Sequence, residues 1–365
     1  MRKDVEMKRI GRRGFIKGAA YAGAIAGFYG SGIFSRIRAE EASAENPDPL
    51  PPTRIYPVMP GAVVSAVGLS GTIEEAVREA VESAGGLKEI EKGQKVMIKP
   101  NICGPAIKDK YPGRITTNPE VVRAVIRLVK ERGAIPMVGD RAMLDPNLAF
   151  ETSGFARLCR EEGIVGFPWS KSEYVRFYPK KRYWTKGFRI PKVLVDADHF
   201  INVPLLKNHG VGGADFTCCM KSFVGVCHKE DRNQPGLNAL HLRDISAKIA
   251  ELNLSKKPTI NIVDALTIMV KGGPDGLRRK QSIWCNSNLI LASKDRVACD
   301  SVALAVLKRY GAENQVDLPY VKKSVWDQAQ IYYGAELGLG QAEADKISII
   351  DKNVKLMDEI KDNWQ

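Results

Sequence analysis

The fold is decided by residues 95–140, which read KVMIKPNICGPAIKDKYPGRITTNPEVVRAVIRLVKERGAIPMVGD. The apolar run from Lys95 to Lys99 predicts a short buried strand. Asn118 is a residue type that caps helices, and the apolar spacing after it predicts a helix from Pro119 to Arg132, closed by Gly133. Ile135 to Gly139 reads as a second buried strand. A strand, a helix and a strand in this order predict a unit of an α/β sheet.

The same alternation continues on both sides of this unit. Further strands are predicted at Ala62 to Val67, Val193 to Val195, Phe200 to Val203, Thr259 to Val263 and Leu289 to Ala292, and further helices at Ile73 to Ser83, Leu240 to Leu252 and Arg296 to Lys308. We therefore predict a doubly wound, mainly parallel α/β sheet with helices on both faces. Residues 165–190, rich in aromatic and basic side chains, look like an inserted subdomain or flap.

The N-terminal 44 residues have the features of a twin-arginine export signal. The motif is carried by four residues, Arg12, Arg13, Phe15 and Lys17. An uncharged run, Gly18 to Phe34, follows, and it falls short of the roughly 20 residues that a spanning helix needs. Ala42-Ser43-Ala44 suits a signal peptidase. A basic tail on a membrane helix is the alternative, and an uncleaved leader could tether the protein to the membrane.

These features predict a domain plan and a location. Residues 1–44 form the signal, 45–61 a Pro-rich linker, 62–352 the α/β domain and 353–365 a C-terminal tail. The export machinery is one expected partner, and the expected location is the periplasm or the outer face of the cytoplasmic membrane. Because this route carries folded cargo, it favours a protein that captures a cofactor before export.

The net charge does not indicate a nucleic-acid-binding protein. Of the formal charge of +13, residues 1–44 contribute +5, which leaves a moderate +8 on the rest. Basic and aromatic residues do mix between Tyr178 and Lys186, a pattern that can bind nucleic acid. An exported protein rarely meets nucleic acid, so we expect a solvated surface or an anionic contact instead.

Polar residues cluster where the predicted strands end. In wound sheets, ligands bind beyond the carboxyl ends of the strands. The polar residues at or near these strand ends are Lys99 and Asn101, Asp140, Lys207 and His209, Asp264, and Asp300 near the start of the last helix. A single aspartate there is commonly a cap, but the repeated pattern predicts a shared site. Lys99, Asn101, Lys207, Lys221 and Asp300 are the candidate ligand-binding residues, and His209 and Asp264 the candidate catalytic ones.

Residues 205–228 are the densest stretch of reactive side chains. They contain three of the seven cysteines and two of the four histidines of the chain beside a glycine-rich segment. Thiolates and imidazoles together suit iron, zinc or an iron–sulfur cluster, so the candidate metal ligands are Cys218, Cys219, Cys227 and His228. The vicinal pair cannot easily ligate one ion, and Cys103 or Cys285 could add ligands. A group of structural or reactive thiols, including a cysteine nucleophile activated by a histidine, is the alternative.

The motifs together resemble the family called domain of unknown function 362, over about residues 62–310. They are Lys99-Pro100-Asn101, Thr116-Thr117-Asn118-Pro119-Glu120, Ile201 to His209, the glycine stretch to Lys221, Ile262 to Ala265, Gly273 to Gly276, and Ser293 to Asp300. The resemblance implies an iron–sulfur protein. This chain departs from it in having no closely spaced four-cysteine run, and Ser222 where Asn is common.

Three functions follow from these patterns. The leading one is an exported redox or cofactor-carrying protein that holds an iron–sulfur cluster or another metal and has a redox partner. The second is an enzyme acting on an anionic small molecule, with lysines holding the anion and His209 moving protons with Asp264 or Asp300. The third is a non-catalytic accessory protein that binds a partner through residues 165–190.

Overall fold

The computed structural model describes residues 54, 56–104, 115–142, 145–180, 183–211, 213–233, 240–241, 243–273, 282–354, 357–362 and 364. The chain divides into two units, Met1–Asp48 and Pro49–Gln365, and every described residue lies in the second. The export motif, Arg12, Arg13, Phe15 and Lys17, and most of the predicted linker lie outside the described residues. No helix in the part of the chain described here is long and apolar enough to cross a membrane.

The described residues contain twelve strands. They are β1 Ala62–Gly68, β2 Lys95–Pro100, β3 Ile135–Asp140, β4 Val165–Pro168, β5 Tyr174–Phe177, β6 Phe188–Pro191, β7 His199–Val203, β8 Leu205–Val211, β9 Ala214–Thr217, β10 Ile260–Lys271, β11 Ile283–Ser293 and β12 Ile347–Lys352.

The α-helices, numbered along the described part of the chain, lie between and after these strands. They are α1 Ile73–Ser83, α2 Pro119–Glu131, α3 Pro146–Thr152, α4 Phe155–Glu161, α5 Lys192–Asp196, α6 Cys219–Ser222, α7 Lys229–Arg232, α8 Ile245–Asn253, α9 Arg296–Glu313, α10 Pro319–Lys322, α11 Ala329–Glu336 and α12 Met357–Asp362.

Ten of the strands form one mixed, mostly parallel sheet, which confirms the predicted α/β class. The order is β12-β1-β11-β10-β7-β2-β3-β4, with β8 beside β10 and β9 beside β8. Strands β10, β7, β2, β3 and β4 pair in parallel, and so do β12 with β1 and β8 with β10. The exceptions are β11, antiparallel to both of its neighbours, and β9, antiparallel to β8.

Alternating side chains of the sheet fill a separate apolar core on each face. In β2, Val96 and Ile98 join one core while Met97 joins the other, and in β11 the same division separates Ile290 from Leu291. Strands buried on both faces are apolar at successive positions because side chains alternate across the sheet. This arrangement explains the continuous apolar runs from which the strands were predicted.

The helix between β2 and β3 begins and ends as its sequence predicts. Asn118 is the N-cap, and its Oδ1 accepts the Glu120 N–H at 3.0 Å. Pro119 occupies the first turn, where its missing N–H costs no hydrogen bond. Gly133 follows the helix with a φ of 70°, a left-handed conformation that favours glycine.

Three predicted segments differ from the structure in more than their end residues. Val193 to Val195 lies in the short helix α5, because a short apolar run does not distinguish helix from strand. Val165–Pro168 is the edge strand β4 of the main sheet, so the insertion begins after it and contains the β5–β6 hairpin. The predicted tail includes α12, whose Met357 and Ile360 are buried in the core.

Candidate anion-binding site

The ends of β2 and β3 are joined by a buried ion pair. Lys99 Nζ lies 2.8 Å from Asp140 Oδ1, and it also donates to Ser222 Oγ at 3.0 Å. Burial lowers the pKa of Lys99, and the Asp140 carboxylate acts in the opposite direction. The other carboxylate oxygen of Asp140 accepts the Ile102 N–H at 2.7 Å. Lys99 therefore has a carboxylate partner within the protein and ties the strand ends to α6.

The start of α2 is fixed to the sheet by Asp264. Asp264 Oδ2 accepts the Asn118 N–H at 2.7 Å, and Oδ1 accepts the Leu266 N–H at 3.2 Å. Burial raises the pKa of Asp264 to about 6, although both N–H donors favour the charged form. The Asn101 N–H donates to Thr117 Oγ1 at 2.9 Å, which completes the same junction. Asp264 lies within β10, which continues to Lys271, and does not end a strand as predicted.

Lys207 and His209 lie within β8, whereas the sequence pattern places them after a strand that ends at Val203. Lys207 is 1% exposed, and its Nζ donates to the Ile115 carbonyl at 2.8 Å. The His209 ring stacks on His241 with a centroid distance of 6.1 Å and an interplanar angle of 6°. Burial and the nearby Lys221 cation lower the pKa of both histidines, that of His241 to about 3. Both rings are therefore neutral near pH 7.

The predicted proton relay between His209 and an aspartate is not formed in the structure. Both oxygens of Asp264 accept backbone N–H groups, and Asp300 accepts those of Cys219 and Met220 at 2.6 and 3.2 Å. The Nδ1 atom of His209 has no hydrogen-bond partner among the described residues. The two carboxylates are committed to backbone donors, because Asp264 holds the start of α2 against β10 and Asp300 holds the start of α6 against α9.

Lys221 in α6 is a buried lysine without an ion pair to any described carboxylate. It is 6% exposed. Burial lowers the pKa of Lys221 to about 7, and the positive charges of Lys207 and Arg232 act in the same direction. An amine with a pKa near 7 exchanges its proton at neutral pH, which is the property of a general acid or base.

Two arginines extend the positive charge beyond the residues predicted from the sequence. Arg141 directly follows β3, is 8% exposed, and its Nε has no hydrogen-bond partner within the described residues. Arg232 ends α7 and is partly buried. Burial lowers the pKa of Arg232, and the Arg141 cation contributes. Neither guanidinium has a carboxylate within ion-pair distance in the part of the chain described.

Several neutral polar atoms at the same end of the sheet also lack partners. Within the described residues, no hydrogen bond reaches Asn101 Oδ1, Thr116 Oγ1, His209 Nδ1 or His241 Nδ1. Buried polar atoms are nearly always hydrogen-bonded, to protein or to a bound molecule. Arg141, Lys221 and Arg232, which have no carboxylate partner among the described residues, together with unsatisfied polar atoms, are the composition of a site for an anion. We define this group of residues as the cationic site: Asn101, Thr116, Arg141, Lys207, His209, Lys221, Arg232 and His241.

The thiols form a separate cluster, which could hold a metal ion. The ligand atoms of Cys218, Cys219 and Asp300 lie within 4.8 Å of one another, and all three residues are buried. The two Sγ atoms are 3.8 Å apart, and burial raises the pKa of both thiols. Burial also raises the pKa of Asp300 to about 6. Asp300 was predicted as an anion ligand, but it belongs to this cluster and also accepts Gln330 Nε2 at 3.0 Å.

The other two predicted metal ligands do not join that cluster. Among the described residues the cluster contains Cys218, Cys219 and Asp300 alone. His228 Nδ1 accepts the Glu230 N–H at 3.3 Å, and its ring packs edge-on against Tyr174 with centroids 4.6 Å apart. Burial raises the pKa of Cys227 to about 12, so this thiol is neutral. His228 has the contacts of a helix cap, and Cys227 those of an apolar core residue.

Sequence reasoning missed Arg141, Arg232 and His241 as members of the cationic site. Arg141 carries a usable signal, because it adjoins Asp140 at the end of a predicted strand. His241 falls within the predicted helix Leu240 to Leu252, which in the structure begins later, at Ile245. Arg232 has no local signal, since α7 consists of four residues, Lys229–Arg232, and no periodicity marks it.

Comparisons with known proteins identify relatives over this region. A model of the family described as Domain of unknown function (DUF362) matches residues 96–305. The "Thylakoid-associated protein sll1697" of Synechocystis sp. is 32% identical over 143 residues, which cover 38% of this chain and 42% of that protein.

Two solved structures are also similar. The lactate racemase apoprotein from Thermoanaerobacterium thermosaccharolyticum shares 12% identity at a TM-score of 0.34, covering 68% of this chain and 58% of that one. A protein from Thermotoga maritima shares 12% identity at a TM-score of 0.35, covering 60% and 53%. The chain thus matches about half the length of these proteins.

Proposed function

Because the chain belongs to the Domain of unknown function (DUF362) family, and residues 96–305 contain the whole cationic site, we propose that this protein acts on a small anionic molecule bound there. Lys221, Arg141 and Arg232 hold the anion, and Lys207 adds to the positive potential. Lys99 holds the strand ends in place and does not bind the anion, since its charge is balanced by Asp140 at 2.8 Å.

One observation carries this proposal. Arg141 and Lys221 are at least nine-tenths buried and have no carboxylate partner within the described residues. Removing one partner of a buried ion pair typically costs about 3–5 kcal/mol, because the remaining charge is uncompensated. A site that keeps several such charges together therefore favours an anionic ligand that neutralises them.

Lys221 is the group that we expect to exchange a proton with the ligand. Its pKa of about 7 makes it largely neutral in mildly alkaline solution, and a bound anion would raise that pKa. His209 and His241 remain neutral and can each donate or accept one hydrogen bond. This assignment replaces the expected role of Asp264, whose two oxygens are occupied by backbone N–H groups.

The test is a calorimetric titration of the purified protein with small carboxylates and phosphates. We expect binding that weakens as the pH rises from 6 to 8.5, because Lys221 loses its proton over this range. Lys221→Met should remove most of that pH dependence. The exposed Lys171 offers a matched control, since Lys171→Met should leave the binding unchanged. Binding that is equally strong in Lys221→Met would contradict the proposal.

A metal-carrying function is the second candidate, favoured by the cluster of Cys218, Cys219 and Asp300. Two thiolates and a carboxylate are the ligands of a single thiophilic ion such as Zn²⁺. An iron–sulfur cluster usually takes four thiolates, and would need ligands beyond this group. An ion here would tie α6 to α9 and stabilise the fold. A redox role would follow only for a redox-active metal.

Elemental and sulfide analysis of anaerobically purified protein tests this candidate. We expect close to one equivalent of a single metal, and its loss in Cys219→Ala but not in Cys159→Ala, a buried thiol in α4. Fully folded protein that contains neither metal nor sulfide would contradict metal carriage. Iron and sulfide in equal amounts would favour a cluster.

Export through the twin-arginine route is also a proposal, motivated by Arg12 and Arg13. Replacing both residues by lysine should keep the protein in the cytoplasm, whereas the wild-type protein should reach the periplasmic fraction or the outer face of the membrane. Equal distribution of the two proteins would contradict export by this route.

A further inference from the structure

The cations of the site come from two separate parts of the sheet. Lys207 lies on β8, which continues from β7 after the single residue Pro204. Arg141 follows β3, and β2 lies between β3 and β7 in the sheet order. Neighbouring strands are about 4.8 Å apart, and the register places Lys207 three residues beyond the level of Arg141, so the two chain positions are roughly 14 Å apart.

The two parts also differ in the chemistry of their cations. The β8 side holds the ammonium groups of Lys207 and Lys221, beside the stacked rings of His209 and His241. The β3 side holds the guanidinium groups of Arg141 and Arg232. Guanidinium groups bind a planar carboxylate or a phosphate in a bidentate manner, whereas an ammonium group acts as a point charge.

A ligand with one anionic group would neutralise only one side. The Lys99–Asp140 pair joins the ends of β2 and β3, and its charges balance each other. Asp140 also favours the charged form of Arg232, but its single negative charge is shared with Lys99 and cannot balance Lys99, Arg141 and Arg232 together. Within the described residues, the β3 side therefore keeps an excess of positive charge even when the β8 side is occupied.

We propose that the ligand is a small molecule with two separate anionic groups, one bound by Lys207 and Lys221 and the other by Arg141 and Arg232. This inference rests on the proposed function and narrows it to a substrate class. The class comprises short dicarboxylates, bisphosphates and molecules that carry one group of each kind. The apolar or hydroxylated middle of such a molecule would lie over the end of β2.

The experiment compares matched probes that differ in one anionic group. Calorimetric titrations at pH 6.5 would use glutarate against valerate, and pyrophosphate against methyl phosphate. We expect each two-group probe to bind at least about 10-fold more tightly than its one-group counterpart, because it makes an additional charge-assisted contact. Preference for glutarate or for pyrophosphate then identifies the anionic group.

Single variants distinguish the two sides. Arg141→Met and Lys221→Met should each lower the affinity for the two-group probe by 10-fold to 100-fold. Lys221→Met should also weaken binding of the one-group probe, whereas Arg141→Met should leave that affinity within about threefold, because a single anionic group binds at Lys221. The Lys171→Met control should behave as the wild-type protein, and circular dichroism confirms that each variant is folded.

The outcomes separate this inference from the proposed function. If valerate binds as tightly as glutarate, and methyl phosphate as tightly as pyrophosphate, the ligand does not need two groups and the inference is wrong. The proposed function survives that result if Lys221→Met still weakens the binding. If no probe binds to the folded wild-type protein, both the inference and the proposed function are overturned.

Discussion

Replacing Lys221 by methionine should make this protein more stable while weakening its binding of anions. Lys221 is 6% exposed and has no ion pair with a described carboxylate. Its charge is disfavoured by burial and by the nearby Lys207 and Arg232, which lower its pKa from 10.5 to about 7. Methionine has a similar length and no charge, so the substitution removes the unfavourable term and keeps most of the packing.

The size of the effect follows from the pKa. At about 1.4 kcal/mol per pH unit, the difference between 10.5 and about 7 sets an upper bound of roughly 5 kcal/mol. Relaxation of the surroundings reduces this bound, and we expect the free energy of unfolding to rise by about 2 kcal/mol. Stabilisation by mutation of a functional residue is the usual trade-off between activity and stability.

The pH dependence of the effect has a definite sign. Below about pH 7 the lysine is charged in both the folded and the unfolded protein, so the full cost is present. Above about pH 7 the Lys221 ammonium of the folded protein has lost its proton, whereas in the unfolded chain it keeps the proton up to about pH 10.5. The wild-type protein therefore becomes more stable as the pH rises. The advantage of Lys221→Met should therefore be largest at pH 6 and should shrink towards pH 10.

Urea unfolding followed by circular dichroism at pH 6 and pH 9.5 measures the gain in the free energy of unfolding and its dependence on pH. Lys171→Met, at an exposed position, should change the free energy of unfolding by less than about 0.5 kcal/mol at either pH. A Lys221→Met protein that is less stable than the wild-type protein at pH 6, or equally stabilised at both pH values, would refute the reasoning.

Three further changes test the structure around the site. Asp140→Asn leaves Lys99 buried without its carboxylate and should lower the free energy of unfolding by about 3–5 kcal/mol in urea titrations. A loss below about 1 kcal/mol would contradict a buried ion pair between Lys99 and Asp140. Gly225→Ala places a Cβ 2.3 Å from Asp140 Oδ1, and should cost about 2 kcal/mol; an unchanged urea midpoint would show that this close approach does not exist. Removing the chain from Met357 onward deletes α12 and its buried Met357 and Ile360, and should lower the melting temperature by several degrees; a truncated protein as stable as the full chain would argue against that packing.

The fold was largely predictable because local signals and the sheet agree. Asn118 and Gly133 mark the ends of α2 by capping chemistry that needs no distant partner. The apolar runs of β2, β3 and β11 are continuous because these strands are covered on both faces. The misassigned segment Val193 to Val195 is too short for periodicity to distinguish helix from strand.

The positions of the candidate site residues were harder to predict than the strands. Lys207 and His209 lie within β8 and Lys221 lies in α6, whereas the sequence pattern places Lys207 and His209 after a strand. The roles of Asp264 and Asp300 could not be read from the sequence, because the N–H groups of Asn118 and Cys219 that they accept lie 146 and 81 positions away. Only folding shows that these carboxylates are already used by backbone N–H groups.

The extent of positive charge was equally hidden. Arg141 and Arg232 are separated by 91 positions, and nothing local marks either as unpaired. In contrast, Lys99 was predicted as an anion ligand, but the folded chain supplies Asp140 as its partner at 2.8 Å. Whether a buried cation is balanced depends on tertiary contacts, which a single sequence does not contain.

The most direct test of the cationic site is the number of protons taken up when an anion binds. Titration with glutarate at pH 8, repeated in buffers of different ionisation enthalpy, gives this number. We expect uptake close to one proton in the wild-type protein, because Lys221 becomes charged beside the anion, and uptake close to zero in Lys221→Met. Binding without proton uptake in the wild-type protein would contradict the central claim that a neutral, buried lysine receives the anion.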